Sequence, residues 1–355
     1  MDLSIFAILA QDGIASGAIY ALLALALVLV FSITRIIFIP LGEFAAFGAL
    51  TLAALQTGHF PPSATLLLAL GVAALLQEIH AILRRPAAQR GDGRAVSRLL
   101  LVTTGKFLLL PLAVFFCARW AGGASLPMAI QVLLTFAIVA PMGPLMYRLA
   151  FQPLAEASVL VLLIVAVAVH LAMLGTGLAM FGAEGSRTAP FSSALLEVGT
   201  LTVSGQSIAI LAAALLLIGA LYLYFGRTLS GKALRATAVN RRGARLVGIG
   251  TAQAGRLAFL MASAIGALCG ILIAPLTTMY YDSGFLMALK GFVGAIIGGL
   301  ASYPAAAGGA LLVGLLEAYS SFWASAYKEV IVFTLIIPVL FWRSLRHPHI
   351  AEGEE

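Results

Sequence analysis

The chain has 355 residues, of which 62% are hydrophobic and only 10% charged, with a mean hydropathy of +1.07. Soluble domains carry about 25% charged residues, so a water-soluble core under a polar surface is excluded and the sequence reads as a polytopic membrane protein. The formal charge of +7 does not point to nucleic acid, because the basic residues gather in short stretches between apolar runs.

A hydrocarbon core about 30 Å thick is crossed by about 20 helical residues. Apolar runs of suitable length predict spans near 13–34, 36–57, 64–83, 99–118, 128–147, 158–181, 206–226, 256–281, 286–303, 305–325 and 328–342. Helix is the expected form throughout, since lipid requires each backbone polar group to be satisfied internally. The fold class is therefore all-α, a transmembrane helical bundle of about 10–11 spans.

In chain order, the first run follows Met1-Asp2-Leu3 without the basic stretch of a cleaved leader, and is too long for a leader's apolar part. It is expected to remain as a span. In the second run, Pro40 precedes Leu41-Gly42-Glu43, a place where a helix can break and turn polar backbone toward a cavity. Glu78 closes the third run and is expected to snorkel or to pair with Arg84. Lys106 lies deeper in the fourth. Cys117 and Cys269 fall inside apolar runs and read as packing thiols.

Residues 182–205 form a mixed polar loop holding Glu184, Arg187, Pro190 and Glu197. The stretch around Gly294 to Gly309, joined at Tyr303-Pro304, is Gly-rich and could be re-entrant or broken, which leaves the span count open by one. The tail, 347–355, is polar and expected to be disordered; its histidines and glutamates have no fixed geometry for a metal.

Basic residues set the orientation. Arg227, Lys232, Arg235, Arg241, Arg242, Arg245 and Arg256 lie in one stretch without an acid. Together with Arg35, Arg84, Arg85, Arg90, Arg94, Arg98, Arg148, Arg343 and Arg346 they fall on one face, whereas Arg119, Arg187 and Lys328 fall on the other. The reading is N-terminus out and C-terminus in. Glycines four apart, at Gly13/Gly17, Gly266/Gly270 and Gly294/Gly298, suit close helix packing, either within the bundle or at a subunit interface.

No catalytic set, metal motif or cofactor motif is visible. The segment from Gly226 to Ala233 nearly matches a phosphate-binding loop, but Ala233 stands where a hydroxyl is needed and no strand precedes it. Ionisable groups within spans usually face the bundle interior and mark pathways. Glu43, Lys290 and Glu317 are the candidates for a substrate path, with Glu329 a further intramembrane acid. The basic stretch itself allows three readings: topology alone, contact with anionic lipid headgroups, or a docking helix for a cytoplasmic partner. Residues 232–247 lack Pro and are rich in helix formers, which favours docking.

Gly231-Lys-Ala-Leu-Arg-Ala-Thr-Ala followed by Ala244-Arg-Leu-Val-Gly-Ile249 resembles the coupling segment of branched-chain amino acid ABC transporter permeases. Further likeness lies in Gly17-Ala-Ile-Tyr-Ala-Leu22 with Arg35-Ile-Ile37 and Gly42-Glu43-Phe44, in Tyr147-Arg148 with Pro153-Leu154, and in Leu289-Lys-Gly-Phe-Val293, Gly298-Gly299-Leu300, Gly314-Leu-Leu-Glu317 and Ser325-Ala-Tyr-Lys328. It covers most of residues 13–57 and 130–343.

The resemblance implies a permease domain in the bacterial cytoplasmic membrane, paired with a second related permease. It also implies cytoplasmic ATP-binding subunits and a periplasmic solute-binding protein. Gly231, Lys232, Leu234, Arg235, Ala244, Arg245, Leu246 and Gly248 would form the segment that inserts into the ATPase, and ATP hydrolysis would belong to that partner. The chain departs from the family at Phe38, Ile39, Pro40 and Leu41, where Asn, Phe, Ala and His are usual, and in an additional stretch, 62–126, expected to add two spans. Rival readings are an ion- or proton-coupled secondary transporter using Glu43 and Glu317, and a membrane-embedded enzyme or scaffold.

Overall fold

The computed structural model describes residues 3–84, 93–123, 126–198 and 201–346. Long runs of Ala, Leu, Val and Ile with few internal prolines give helices, because only a helix satisfies its own backbone in lipid. In chain order these are α1 (Leu3–Thr34), α2 (Leu41–Gln56), α3 (Ser63–Leu83), α4 (Gly93–Ala121), α5 (Met128–Val139) and α6 (Met142–Met146). A π-helical turn (Tyr147–Phe151) and a 3-10 turn (Gln152–Leu154) lead to α7 (Val159–Phe181). There follow α8 (Gly205–Arg227), α9 (Leu229–Val239), α10 (Arg241–Leu246), α11 (Thr251–Ile273), α12 (Ser283–Ile297), α13 (Tyr303–Trp323), α14 (Lys328–Thr334) and α15 (Ile336–Arg346).

Among the described residues, 9 helical stretches are long and apolar enough to cross a membrane. α2, with 16 residues, and α12, with 15, reach only about 24 and 22 Å at the helical rise of about 1.5 Å per residue. Both are shorter than a hydrocarbon core of about 30 Å. The second expected run, 36–57, is thus not one helix. Arg35 takes a left-handed backbone (φ 61), the chain is irregular as far as Pro40, and α2 starts only after it. Proline at the start of a helix lacks only an N–H that would be orphaned anyway.

Other boundaries shift as well. α1 begins at Leu3 rather than near residue 13, because nothing in its first ten residues interrupts a helix. α11 runs from Thr251 to Ile273, so the expected span 256–281 starts earlier and ends before an irregular stretch. The polar loop after α7 contains a short antiparallel hairpin, β1 (Leu195–Val198) on β2 (Leu201–Ser204), in register Leu195↔Ser204. The loop is pinned to the bundle where Ala189 N–H donates to Gln56 Oε1 (2.8 Å) and Gln206 Nε2 donates to the Leu272 carbonyl (2.7 Å).

The core is built by α1, α2, α11, α12 and α13. All three glycine spacings are used inside it. Gly13 and Gly17 meet the α13 backbone at Gly314, Leu315 and Leu311; Gly266 and Gly270 meet α2 at Leu41 and Ala45; Gly294 and Gly298 meet α13 at Ala310 and Ala306. A further close crossing sets Gly42 of α2 against Gly284 of α12, where a Cβ on either residue would run into the other's carbonyl. A phenylalanine cluster fills the space under this crossing, with the Phe38 and Phe259 ring centroids 4.5 Å apart.

α3 and α4 pack on each other at the side of this core. Glu78 does not pair with Arg84: it forms an ion pair with Arg148 in the π-helical turn, whose guanidinium also lies 4.6 Å from the Phe107 ring centroid. Arg84 instead follows the C-terminus of α3, too far along the helix to compete. Cys269 is buried as expected, whereas Cys117 is exposed on the outer face of α4. The arginine-rich connection at 85–92, the Lys106 side chain and the tail at 347–355 lie outside the described residues.

Candidate functional site

The structure brings two of the sequence candidates together. Lys290, near the middle of α12, is 5% exposed, and an isolated ammonium in such a place would be costly. Its Nζ donates to Glu317 Oε1 of α13 (2.5 Å) and to Glu329 Oε1 of α14 (3.0 Å). Tyr20 of α1 completes the group: its hydroxyl donates to Glu317 Oε2 (2.6 Å), and Nζ lies 5.8 Å from its ring centroid. Four helices therefore converge on one ammonium. With both carboxylates ionised the group carries an excess negative charge, and Glu329 Oε2 has no hydrogen-bond partner.

Glu43 belongs to a second group. It sits in the first turn of α2, where the helix dipole favours an anion, and is 1% exposed. His170 Nδ1 of α7 lies 2.7 Å from Glu43 Oε1; a carboxylate there accepts the ring N–H. The imidazole is stacked on Phe285 of α12, centroids 4.5 Å apart. Glu43 Oε2 is buried without a partner. Among the described residues Glu43 pairs with His170 and not with Lys290, so the three sequence candidates divide between two groups. Sequence reasoning did not place Tyr20 or His170 in either. The signal for His170 was its position deep in an apolar run, and that for Tyr20 only its place in the Gly17–Leu22 motif.

The basic stretch folds as two short helices rather than one. The Thr228 side chain caps α9 by accepting from Gly231 N–H (3.0 Å), and Gly231 presses so closely on Tyr224 and Phe225 that a side chain would not fit. Asn240 leaves the helical conformation and caps α10, accepting from Gly243 N–H (2.8 Å). This break was not foreseen, because Asn is tolerated within helices but favoured as a cap. Gly248 ends α10 with φ +84, the left-handed turn that glycine adopts without strain. The near-match to a phosphate loop is simply the end of α8 and the first turns of α9.

The apolar residues of the stretch sort into two sets. Leu234 is 1% exposed, packed with Leu29, Ile33, Ala254 and Ala258, so it anchors α9 to α1 and α11 and is not a docking contact. Ala244 is buried too. Leu246 is 88% and Val239 87% exposed, and Leu229 and Val247 are also exposed, as are Lys232 and Arg235. Arg245 holds α10 to the rest of this face, donating from Nε to Thr251 Oγ1 (3.1 Å) and pairing with Glu156 (3.0 Å); Arg241 donates to the Ala155 carbonyl (3.1 Å).

A family model described as "Branched-chain amino acid transport system / permease component" matches residues 96–340. The chain belongs to this permease family. Among curated proteins it is similar to the high-affinity branched-chain amino acid transport system permease protein LivH of Escherichia coli (strain K12), 36% identical over 123 residues, which is 34% of this chain and 40% of LivH. BraD of Pseudomonas aeruginosa, likewise named a high-affinity branched-chain amino acid permease, is 32% identical over 143 residues, 40% of this chain and 47% of BraD. A probable LivH of Methanocaldococcus jannaschii is 29% identical over 223 residues, 58% and 69% of the two chains. The permease thus spans less than half the length of LivH and BraD. No solved structure matches it.

Proposed function

We propose that this permease is the membrane subunit of an ATP-driven importer that moves a small polar solute, a branched-chain or related amino acid, across the cytoplasmic membrane by alternating access. The observation that carries the reading is the α9–α10 unit. It is fixed to the bundle through Leu234 and Arg245 and yet presents Leu229, Val239, Leu246 and Val247 to the outside. An apolar face held rigidly at the end of a membrane bundle suits docking by a protein, since exposed apolar patches mark such sites. The partner is a cytoplasmic ATP-binding subunit, the face carrying the basic residues is cytoplasmic, and the N-terminus is outside. A second related permease and a periplasmic solute-binding protein complete the importer. The Lys290 and Glu43 groups are its candidate path, where ion pairs are exchanged as the helices rock.

Uptake of labelled amino acids by cells co-expressing the ATP-binding subunits tests this. Val239→Asp with Leu246→Asp leaves the permease folded and in the membrane but abolishes both uptake and co-purification of the ATP-binding subunits. Unchanged co-purification sinks the docking assignment. Leu234→Asp is the contrasting control: it destabilises α9 itself and lowers the amount of folded protein.

One observation favours a second reading, cation-coupled transport: the Lys290 ammonium sits between two carboxylates within the spans. Proteoliposomes holding this chain alone decide it. Uptake driven by a proton or sodium gradient without ATP supports the second reading, and no uptake until ATP-binding subunits are added supports the first.

A further inference from the structure

Two adjoining cavities at the basic face of the bundle share the lining residues Phe225, Arg235 and Tyr303. One, of about 650 Å³, runs between α1, α8 and α13 and is almost wholly apolar, walled by Leu25, Ile218, Leu221, Tyr222, Pro304 and Ala307. The other, of about 300 Å³, sets Arg35, Arg235 and Ser32 among apolar residues such as Ile33, Leu234 and Leu300, and none of its lining residues is acidic. The larger volume lies within the roughly 300–1,000 Å³ typical of ligand sites. α1 ends at Thr34, α8 ends at Arg227 and α13 begins at Tyr303, so the cationic chamber lies at span ends, the depth of lipid headgroups. Phe225 and Tyr303 line both cavities and so stand at the boundary between them, as aromatic side chains do at membrane interfaces.

From this geometry we infer that the paired cavities form a binding site for one phospholipid with an anionic headgroup. An acyl chain lies in the groove between α8 and α13, and the phosphate is held between Arg35 and Arg235. The commitment to a lipid follows from charge and polarity together. A soluble anion would use the arginines but leave the groove empty. A second protein chain is the competing occupant of the groove, and a cross-link through Tyr222→Cys distinguishes it. Positive-inside topology requires basic residues on this face, but it does not require two of them to line a chamber continuous with a lipid-facing groove. Because Arg235 is adjacent to the buried Leu234, the headgroup would brace α9 along the wall formed by Leu234, Ala238 and Val239. The site is independent of the transport reading: either can fail without the other.

Native mass spectrometry of the full-length protein, released from nanodiscs of phosphatidylcholine containing phosphatidylglycerol, tests the proposal. The expected result is selective retention of phosphatidylglycerol, unaffected by inorganic phosphate. Arg35→Gln with Arg235→Gln should weaken retention by roughly 30-fold, about fivefold for each guanidinium. Ala307→Trp, which fills the groove and leaves both arginines in place, should also remove it. Arg242→Gln, in the same basic stretch but lining neither cavity, should retain the lipid. Equal retention of both lipids overturns the site. So does a loss with Arg242→Gln as large as with the arginine pair, or retention that survives Ala307→Trp. A disulfide-linked dimer formed in high yield through Tyr222→Cys would place a second copy in the groove and overturn it equally.

Discussion

The two buried ionic groups of this permease solve the same problem in opposite ways. Glu43 is enclosed and has one partner, His170, with its second oxygen left without a donor. Lys290 is shared by two carboxylates and lies over a tyrosine ring, in a group whose Glu329 side chain is 36% exposed. The first joins α2 to α7; the second ties α1, α12, α13 and α14 together. A pair with a single bond can be broken and remade at one contact, whereas a four-helix junction must be dismantled in several places. The Lys290 group is therefore expected to contribute more to the folded state, and the Glu43 pair to be the easier one to rearrange.

The largest effect separates the two directly. Lys290→Met removes the cation and leaves Glu317 facing Glu329, and breaking a buried ion pair by deleting one partner costs about 3–5 kcal/mol. Unfolding in detergent micelles should show a loss of that size. A double substitution, Lys290→Met with Glu317→Gln, should recover much of it, because the like-charge contact disappears. If the single and double variants are equally unstable, the lysine acts through packing and not through charge.

A smaller loss is expected from His170→Leu, which deprives Glu43 of its only donor among the described residues. Leaving a buried acceptor unsatisfied costs about 1–3 kcal/mol. Changing both partners, Glu43→Leu with His170→Leu, should be close to neutral in stability, since an apolar pair of similar shape has nothing left to satisfy. A double variant less stable than either single one would mean that Glu43 has a further partner, and that its second oxygen is engaged.

What could be read from the sequence follows the same division. The spans were legible because lipid permits few alternatives to a long apolar helix, and Glu43, Lys290 and Glu317 stood out because charges are rare there. Their partners were not legible. Tyr20 and Glu317 are 297 residues apart, and Glu43 and His170 are 127 apart, so no local spacing connects them. The basic stretch shows the same limit. Leu234 and Leu246 are chemically alike in a stretch that favours helix, yet one is buried by α1 and α11 and the other is outside, because Asn240 breaks the helix between them. Pro40 signalled a break in the second span, but the left-handed Arg35 and the Gly42–Gly284 crossing carry no signal in local sequence and show only in the tertiary arrangement.

The smallest expected effect is the most informative about what the Lys290 group does. Tyr20→Phe removes only the hydroxyl that donates to Glu317 Oε2 and keeps the ring under Lys290. Hydrogen bonds between membrane helices average about 0.6 kcal/mol, and those to ionised acceptors reach about 1.5–3 kcal/mol. Glu317 keeps its bond to Lys290, so a cost near 1 kcal/mol is expected, well below that of Lys290→Met. If the group is a static clamp, Tyr20→Phe lowers stability slightly and leaves the KM and maximal rate of uptake unchanged. If Glu317 exchanges partners during transport, freeing its second oxygen alters the maximal rate while stability barely changes. Measuring both on the same variant distinguishes a clamp from a moving part. A cost as large as that of Lys290→Met would instead make the tyrosine hydroxyl, and not the ammonium, the principal anchor of the junction.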